Sequence, residues 1–138
     1  IKTFDISTLE REILRSRDFE ALLFGEVLGI IPDPFPFWHS SQKKDPGLNL
    51  ASYENKESDK LLEEARKSLN EMVRKEKLEK FQDLLIGDAP AVFLYNQNYF
   101  YFVSKKIEGI DGKLLITDPS KRFSDIQNWF LKTKRFLK

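Results

Sequence analysis

The chain has 138 residues, 41% of them hydrophobic, and sets 23 basic side chains against 22 acidic ones for a net charge of +1. That length fits one domain, or one lobe of something larger, and its twelve Phe favour an aromatic-rich core. The mixed charges exclude the basic stripe of a nucleic-acid surface, no apolar run nears the roughly 18 residues of a membrane span, and the absence of Cys excludes disulfides, thiolate catalysis and Cys-ligated metals.

Residues 1–5 alternate apolar and polar side chains, a strand signal. The chain has no initiator Met and opens inside this pattern, with no visible signal peptide, so it is expected to be a C-terminal piece of a longer protein. Ser7-Thr8-Leu9-Glu10 has the form of a capping box, with Ser7 as N-cap and Glu10 three residues on. Leu9, Ile13 and Leu14 follow at helical spacing, which predicts a short helix ending near Arg17. Residues 19–24 are nearly continuously apolar, the pattern of a strand buried on both faces. Strand, helix and strand in this order predict a βαβ unit with a parallel pair.

Pro32, Pro34 and Pro36 then forbid regular structure. Residues 35–53 read as a loop, with one helical turn around 37–40 and a second turn at Asp45-Pro46-Gly47. A loop of about 20 residues is uncommon in a compact domain and is often functional. This one carries Phe35, Phe37, Trp38 and Tyr53 beside His39, Ser40, Ser41 and Asn49. A buried strand that empties into a rigid, aromatic, polar-tipped loop is one way to build a pocket wall. The competing reading is a local mini-core beneath the loop, and both stand at this point.

Asn55 is positioned to cap a helix over 55–69 whose buried stripe is Leu61, Leu62, Ala65 and Leu69. Asn70 caps a second helix, with Val73, Leu78, Phe81, Leu84 and Leu85 inward and Gly87 at its C-terminal end. A pair joined this tightly packs antiparallel. Pro90 opens an extended stretch in which Val92, Leu94, Tyr99, Tyr101 and Val103 alternate with their neighbours, broken at Asn96-Gln97-Asn98. Residues 105–112 form a turn-rich connector. In residues 122–138, Phe123, Ile126, Phe130 and Leu131 fit either a helix or a terminal strand beside Trp129.

His39 is the only histidine. Adjacent loop residues seldom achieve nucleophile–base geometry, there is no G-x-S-x-G elbow, and one His without H-x-x-x-H is poor for zinc, so a structural or ligand-contacting role is expected. Glu63, Glu64, Glu71 and Glu76 beside Lys and Arg read as solvated ion pairs. The basic end (Lys132, Lys134, Arg135, Lys138) reads as a polar terminus.

Five segments, taken in order, resemble the C-terminal part of the family 5 extracellular solute-binding proteins, the oligopeptide-, dipeptide- and nickel-binding subunits of ABC importers. RDFEALLFG resembles the family's strand after a variable helix, and PDPFPFWHSSQ its proline-rich pocket loop. GLNLASYENKESDKLLEEAR resembles the motif G-x-N-x-x-x-Y-x-N-x-x-x-D-x-L-L-x-x-A, with Gly47, Asn49, Tyr53, Asn55, Asp59, Leu61, Leu62 and Ala65 in place. KLEKFQDLLIGDAPAVFLY and VSKKIEGI resemble the helix, acidic-Ala-Pro turn, strand and connector that follow. The likeness covers residues 17–112, and the final segment fits more loosely.

The resemblance implies an α/β, periplasmic-binding-protein-like (type II) clamshell, of which this chain supplies part of the C-terminal lobe, a mixed sheet flanked by helices. Residues 1–95 would belong to the second, ligand-binding lobe, and residues 96–138 would cross a hinge and return to the first. It implies a substrate-binding component that captures oligopeptides or similar solutes between two lobes and delivers them to a membrane permease. The implied protein is not an enzyme, has no cofactor or metal, binds no nucleic acid and is a monomer when intact. It would sit in the periplasm or outside the cell, anchored through an N-terminal segment. The implied ligand contacts are Glu26, Leu28, Gly29, Trp38, Asn49, Tyr95, Asn96 and Gln97, although Asn49 equally suits a turn-making role. Peptide-binding members carry an Asp before the proline loop for the peptide's amine. Here that position falls on Gly29 or Ile30, leaving Glu26 as the nearest acid. The readings from other classes are an α/β enzyme domain using His39 and a protein-interaction module with an aromatic loop.

Overall fold

The structure, a computed structural model, describes residues 1–26, 33–96, 98–112 and 119–131. The chain divides into two compact units, one of Ile1–Glu26 and Pro32–Leu94, the other of Val27–Ile31 and Tyr95–Lys138.

In the first unit, helix α1 starts over Ile6–Thr8 and continues with π geometry over Leu9–Leu14. Its N-cap is Asp5, not the expected Ser7: the Asp5 carboxylate accepts from the Thr8 backbone N–H at 3.1 Å and from the Thr8 hydroxyl at 2.7 Å. These bonds, the hydroxyl one foremost, hold the Asp5 pKa below its ordinary value. Asp is as good a cap as Ser, and the sequence offered both two positions apart. The strands expected at 1–5 and 19–24 do not form among the described residues. An extended segment becomes a strand only by hydrogen bonding to a neighbour. No described residue pairs with these in a ladder, and Leu23 is 80% exposed.

The core of this unit rests on two helices. Helix α3 (Lys56–Lys67) is capped as expected by Asn55, whose side chain accepts from Glu57 N–H and Ser58 N–H at 2.9 and 3.2 Å. Helix α4 (Glu71–Asp88) is capped by Asn70 in the same way. Leu61 and Leu62 of α3 cluster with Phe81 and Leu85 of α4, all buried, with Leu78 and Leu84 packed against them, and Ala65 is buried on the same helix as Leu61 and Leu62. Each large side chain so buried stabilises the fold by about 1.5–3 kcal/mol. Leu69 is not part of this stripe. Ser68 is extended, so the helix has ended and Leu69 lies fully exposed. Val73, in the first turn of α4, is also exposed.

Helix α4 runs past Gly87. The left-handed position that ends it is taken by Ala89 (φ 48°), whose N–H donates to Leu85 O, and Pro90 has no N–H with which to go on.

The second unit holds the only strand pairing among the described residues. It is the antiparallel pair β1 (Ile107–Glu108) and β2 (Phe130–Leu131), with Ile107 opposite Leu131 and Glu108 opposite Phe130. Gly109 follows β1 at φ 85°, and a Cβ there would collide with the Asn128 carbonyl, so glycine is required. Of the two forms expected for the final segment, the described residues give short 3-10 turns at Pro119–Phe123 and Ile126–Asn128 and then the strand. Tyr99, Tyr101, Phe123 and Trp129 form an aromatic cluster with ring centroids 5.9–6.5 Å apart. The extended stretch 92–103 finds no ladder among the described residues, and Phe102 is 92% exposed.

Candidate functional site

The aromatic loop is a built structure anchored on α3. Its proline-rich start folds into helix α2 (Phe35–Trp38), capped at its end by His39, whose N–H donates to Phe35 O. A 3-10 turn, Ser40–Gln42, follows directly. Pro34 and Pro36 permit this because the first helical positions need no N–H donor.

Three polar residues of α3, at spacing i, i+4 and i+7, receive this segment. Arg66 donates through Nε and Nη2 to the Asp33 carboxylate at 2.6–3.1 Å, and its guanidinium lies 4.0 Å from the Phe35 ring centroid. Glu63 Oε1 lies 3.5 Å from His39 Nε2, the imidazole being stacked on Phe35 at 4.1 Å. Asp59 accepts the Ser40 backbone N–H at 2.9 Å and the Ser40 hydroxyl at 2.5 Å. The reading of these acids as merely solvated holds for Glu64, paired with Lys77 at 2.6 Å, and for Glu76, paired with Lys80 at 2.7 Å. Glu63 has two roles, pairing with Lys67 at 3.1 Å as well as facing His39. The Lys67 hydrogen bond is the main reason its pKa lies below the ordinary value.

Farther along, Asn49 is fully buried. Its amide donates to His39 O and Tyr53 O at 3.1 and 2.9 Å, and its carbonyl accepts from Tyr53 N–H at 3.0 Å. Of its two expected roles the structure gives turn-making, because no part of the carboxamide reaches the surface. Gly47 is required here, since a Cβ would strike the Gln42 carbonyl that also accepts from Asn49 N–H. Tyr53 closes the loop onto the core. Its hydroxyl donates to Asp88 at 2.7 Å, on the same oxygen that accepts from Asn55 Nδ2. Burial, reinforced by Asp88, pushes the Tyr53 pKa up to about 12.

Arg17 is an anchor with no signal in the sequence pattern. Placed after α1 at φ 56°, it sends its guanidinium to the carbonyls of Leu14, Lys43 and Gly47. Asp59, Arg66 and Asp33 did leave a trace, in the polar i, i+4, i+7 face of α3 and in the lone acid between two prolines.

Three of the loop's aromatics pack as the mini-core reading expects. Tyr53 is core, and Phe35 and Trp38 are half-buried against that core. The Trp38 ring lies 6.4 Å from Tyr53 and 5.9 Å from Phe93. His39 is buried, its Nδ1 already accepts the Ser41 N–H at 3.1 Å, and Phe35 covers its ring. The Ser41 hydroxyl lies 2.8 Å from the same Nδ1, a contact between residues two apart in one turn. Nδ1 is thus engaged within its own turn, which fits the structural role expected of His39.

Of the other expected contacts, Leu28, Gly29 and Gln97 lie outside the described residues. Tyr95 and Asn96, in the second unit, are exposed. Glu26 is exposed in the first, and desolvation raises its pKa to about 7.

The chain is 31% identical over 114 residues to the oligopeptide-binding protein AppA of Bacillus subtilis (strain 168), a match covering 83% of this chain. That match is consistent with a fragment of a family 5 extracellular solute-binding protein. The chain is also 35% identical over 80 residues to the probable D,D-dipeptide-binding periplasmic protein DdpA of Escherichia coli (strain K12), and 28% identical over 78 residues to the dipeptide-binding protein DppE of Bacillus subtilis (strain 168). The solved structure of Bacillus subtilis AppA in complex with a nonapeptide is similar over 94% of this chain, with a TM-score of 0.64 and 27% identity. The fold is therefore a portion of the periplasmic-binding-protein type. The chain spans 14–20% of the length of these curated relatives and 25% of the AppA structure. No protein-family model matches the chain. No helix among the described residues is long and apolar enough to cross a membrane.

Proposed function

We propose that this chain is part of the substrate-binding component of an ABC importer, one that captures oligopeptides and delivers them to a membrane permease. The observation that carries the reading is the match to AppA, whose solved structure holds a nonapeptide and is similar over 94% of this chain. In this account residues 1–95 belong to the ligand-binding lobe, and residues 96–138 cross a hinge and return to the other. The change of unit between Leu94 and Tyr95 supports a crossing there, although Val27–Ile31 group with the second unit and not with the rest of residues 1–95.

The work of such a protein is hinge closure over a solute, a population shift without bond chemistry. The wall this chain contributes is the loop that presents Trp38, with Asn49 holding it from behind. Glu26, Tyr95 and Asn96, together with Leu28, Gly29 and Gln97, are the proposed contacts. A buried ammonium without a partner costs several kcal/mol, and Gly29 and Ile30 offer no charge, so Glu26 is the acid placed to take a free peptide amine, whereas a blocked peptide or a sugar would need no such partner. The protein acts outside the cytoplasmic membrane as an anchored monomer.

Calorimetric titration of the whole polypeptide with mixed-sequence nonapeptides tests the reading. Saturable binding that weakens in Trp38→Ala is expected. Failure to bind any peptide pool would turn attention to a protein partner for the aromatic loop.

A further inference from the structure

We propose that Asp59 is the positioning residue of the pocket wall, fixing where α2 ends and so where Trp38 stands. The link to ligand rests on the peptide-binding reading; the link to the loop rests on geometry alone.

Asp59 lies in the first turn of α3, where a carboxylate needs only to face the helix N-terminus to be favourable. Here it has a more specific task. One oxygen accepts the Ser40 N–H at 2.9 Å and the other the Ser40 hydroxyl at 2.5 Å. Ser40 opens the 3-10 turn directly after His39, the cap of α2. A single side chain thus holds the junction of two short helical pieces, neither of which is long enough to persist alone.

The opposite end of α2 is held by the same helix. Arg66 clamps Asp33, the residue before Pro34, at 2.6–3.1 Å. Asp59 and Arg66 are two helical turns apart, about 10.5 Å along α3. Residues 33–40 are suspended between these clamps, with Glu63 facing His39 midway. Trp38 is two residues from the Asp59 clamp, so its position is set by α3 and not by the loop alone. The side-chain size that the wall accepts then depends on a residue that does not touch ligand.

Asp59→Asn keeps the shape but removes the charge: its carbonyl can still accept the Ser40 N–H and its amide can donate to the Ser40 hydroxyl, so the charge-assisted bonds become weaker neutral ones, while Ser40→Ala removes the hydroxyl bond outright. The test compares Asp59→Asn, Ser40→Ala and the double variant in the whole polypeptide. It reads amide hydrogen exchange, the Trp38 indole resonance and nonapeptide affinity. The expected result is exchange at Ser40 and Ser41 faster by roughly tenfold, with Leu62 and Ala65 unchanged, as befits one charge-assisted hydrogen bond. The Trp38 resonance should move, affinity should fall by a similar factor, and the double variant should be little worse than either single one.

Unchanged exchange at Ser40 and Ser41, or equal acceleration at Leu62 and Ala65, would overturn the proposal and leave Asp59 an ordinary stabiliser of α3. Undiminished affinity despite a loosened turn would overturn its link to ligand. A wild-type protein that binds no peptide while its variants loosen the turn would sink the peptide reading and leave the positioning role standing.

Discussion

Asn49 and Tyr53 hold each other's chain: the Tyr53 N–H donates to the Asn49 carbonyl at 3.0 Å, and the Asn49 amide returns a bond to the Tyr53 carbonyl at 2.9 Å. With the third bond, to His39 O at 3.1 Å, a fully buried side chain replaces the secondary structure that this loop lacks. Asn49→Ala would strand a buried donor and loosen two carbonyls, each worth about 1–3 kcal/mol when left without a partner. A loss of about 3 kcal/mol is expected, measured as a lower urea midpoint with an unchanged slope. A loss below about 1 kcal/mol would show that the loop holds without this ring of bonds.

Tyr53 and Asp88, 35 residues apart, tie that loop to the end of α4 at 2.7 Å. The folded state keeps the phenolic proton up to about pH 12, whereas the unfolded chain releases it near 10. The contribution is therefore complete below pH 10 and is lost as pH rises towards 12. Asp88 has the opposite sense. The Tyr53 bond first, then that of Asn55, lowers its pKa from 3.8, so its contribution is present above that value and lost as pH falls through the lowered one. Absorbance titration at alkaline pH should show a late tyrosine that is missing in Tyr53→Phe. A titration without that late component would count against the buried latch.

Ala89 occupies a left-handed position that suits glycine. Ala89→Gly relieves that strain and removes only an exposed methyl group, so a gain of about 0.5–1 kcal/mol in thermal unfolding is expected. The same substitution at Ala65, buried in the last turn of α3, should destabilise instead.

Arg66 presents a planar fork to Asp33 and a flat face to Phe35. Lysine keeps the charge but loses both geometries. Arg66→Lys is expected to cost about 1 kcal/mol and to quicken amide exchange at Phe35 more than at Leu85. Equal exchange at both amides would argue against a local clamp.

The helices were legible in the sequence because their signals are local. Asn55 and Asn70 cap as their positions predict, and Leu61, Leu62, Ala65, Phe81 and Leu85 form the buried face. Two helical details differ for local reasons of their own: Asp5, as good a cap as Ser7, caps two residues earlier, and Ala89 took the position expected of Gly87. The strands failed because pairing is not local. Residues 19–24 and 92–103 carry strand composition, but no described residue supplies a ladder for them. In the site, the aromatic loop could be found from its prolines and rings. What it rests on left only half a signal: the polar i, i+4, i+7 face of α3 marks Asp59 and Arg66, but their partners Ser40 and Asp33 lie 19 and 33 residues away, a pairing that no periodicity announces.

The central claim, capture of peptides, is tested most directly by native mass spectrometry of the gently purified whole polypeptide, followed by denaturation and sequencing of whatever it releases. The account predicts a heterogeneous set of short peptides with free N-termini, the amine that Glu26 is proposed to receive. A protein that emerges empty, and whose melting temperature does not move with peptide pools, would contradict it.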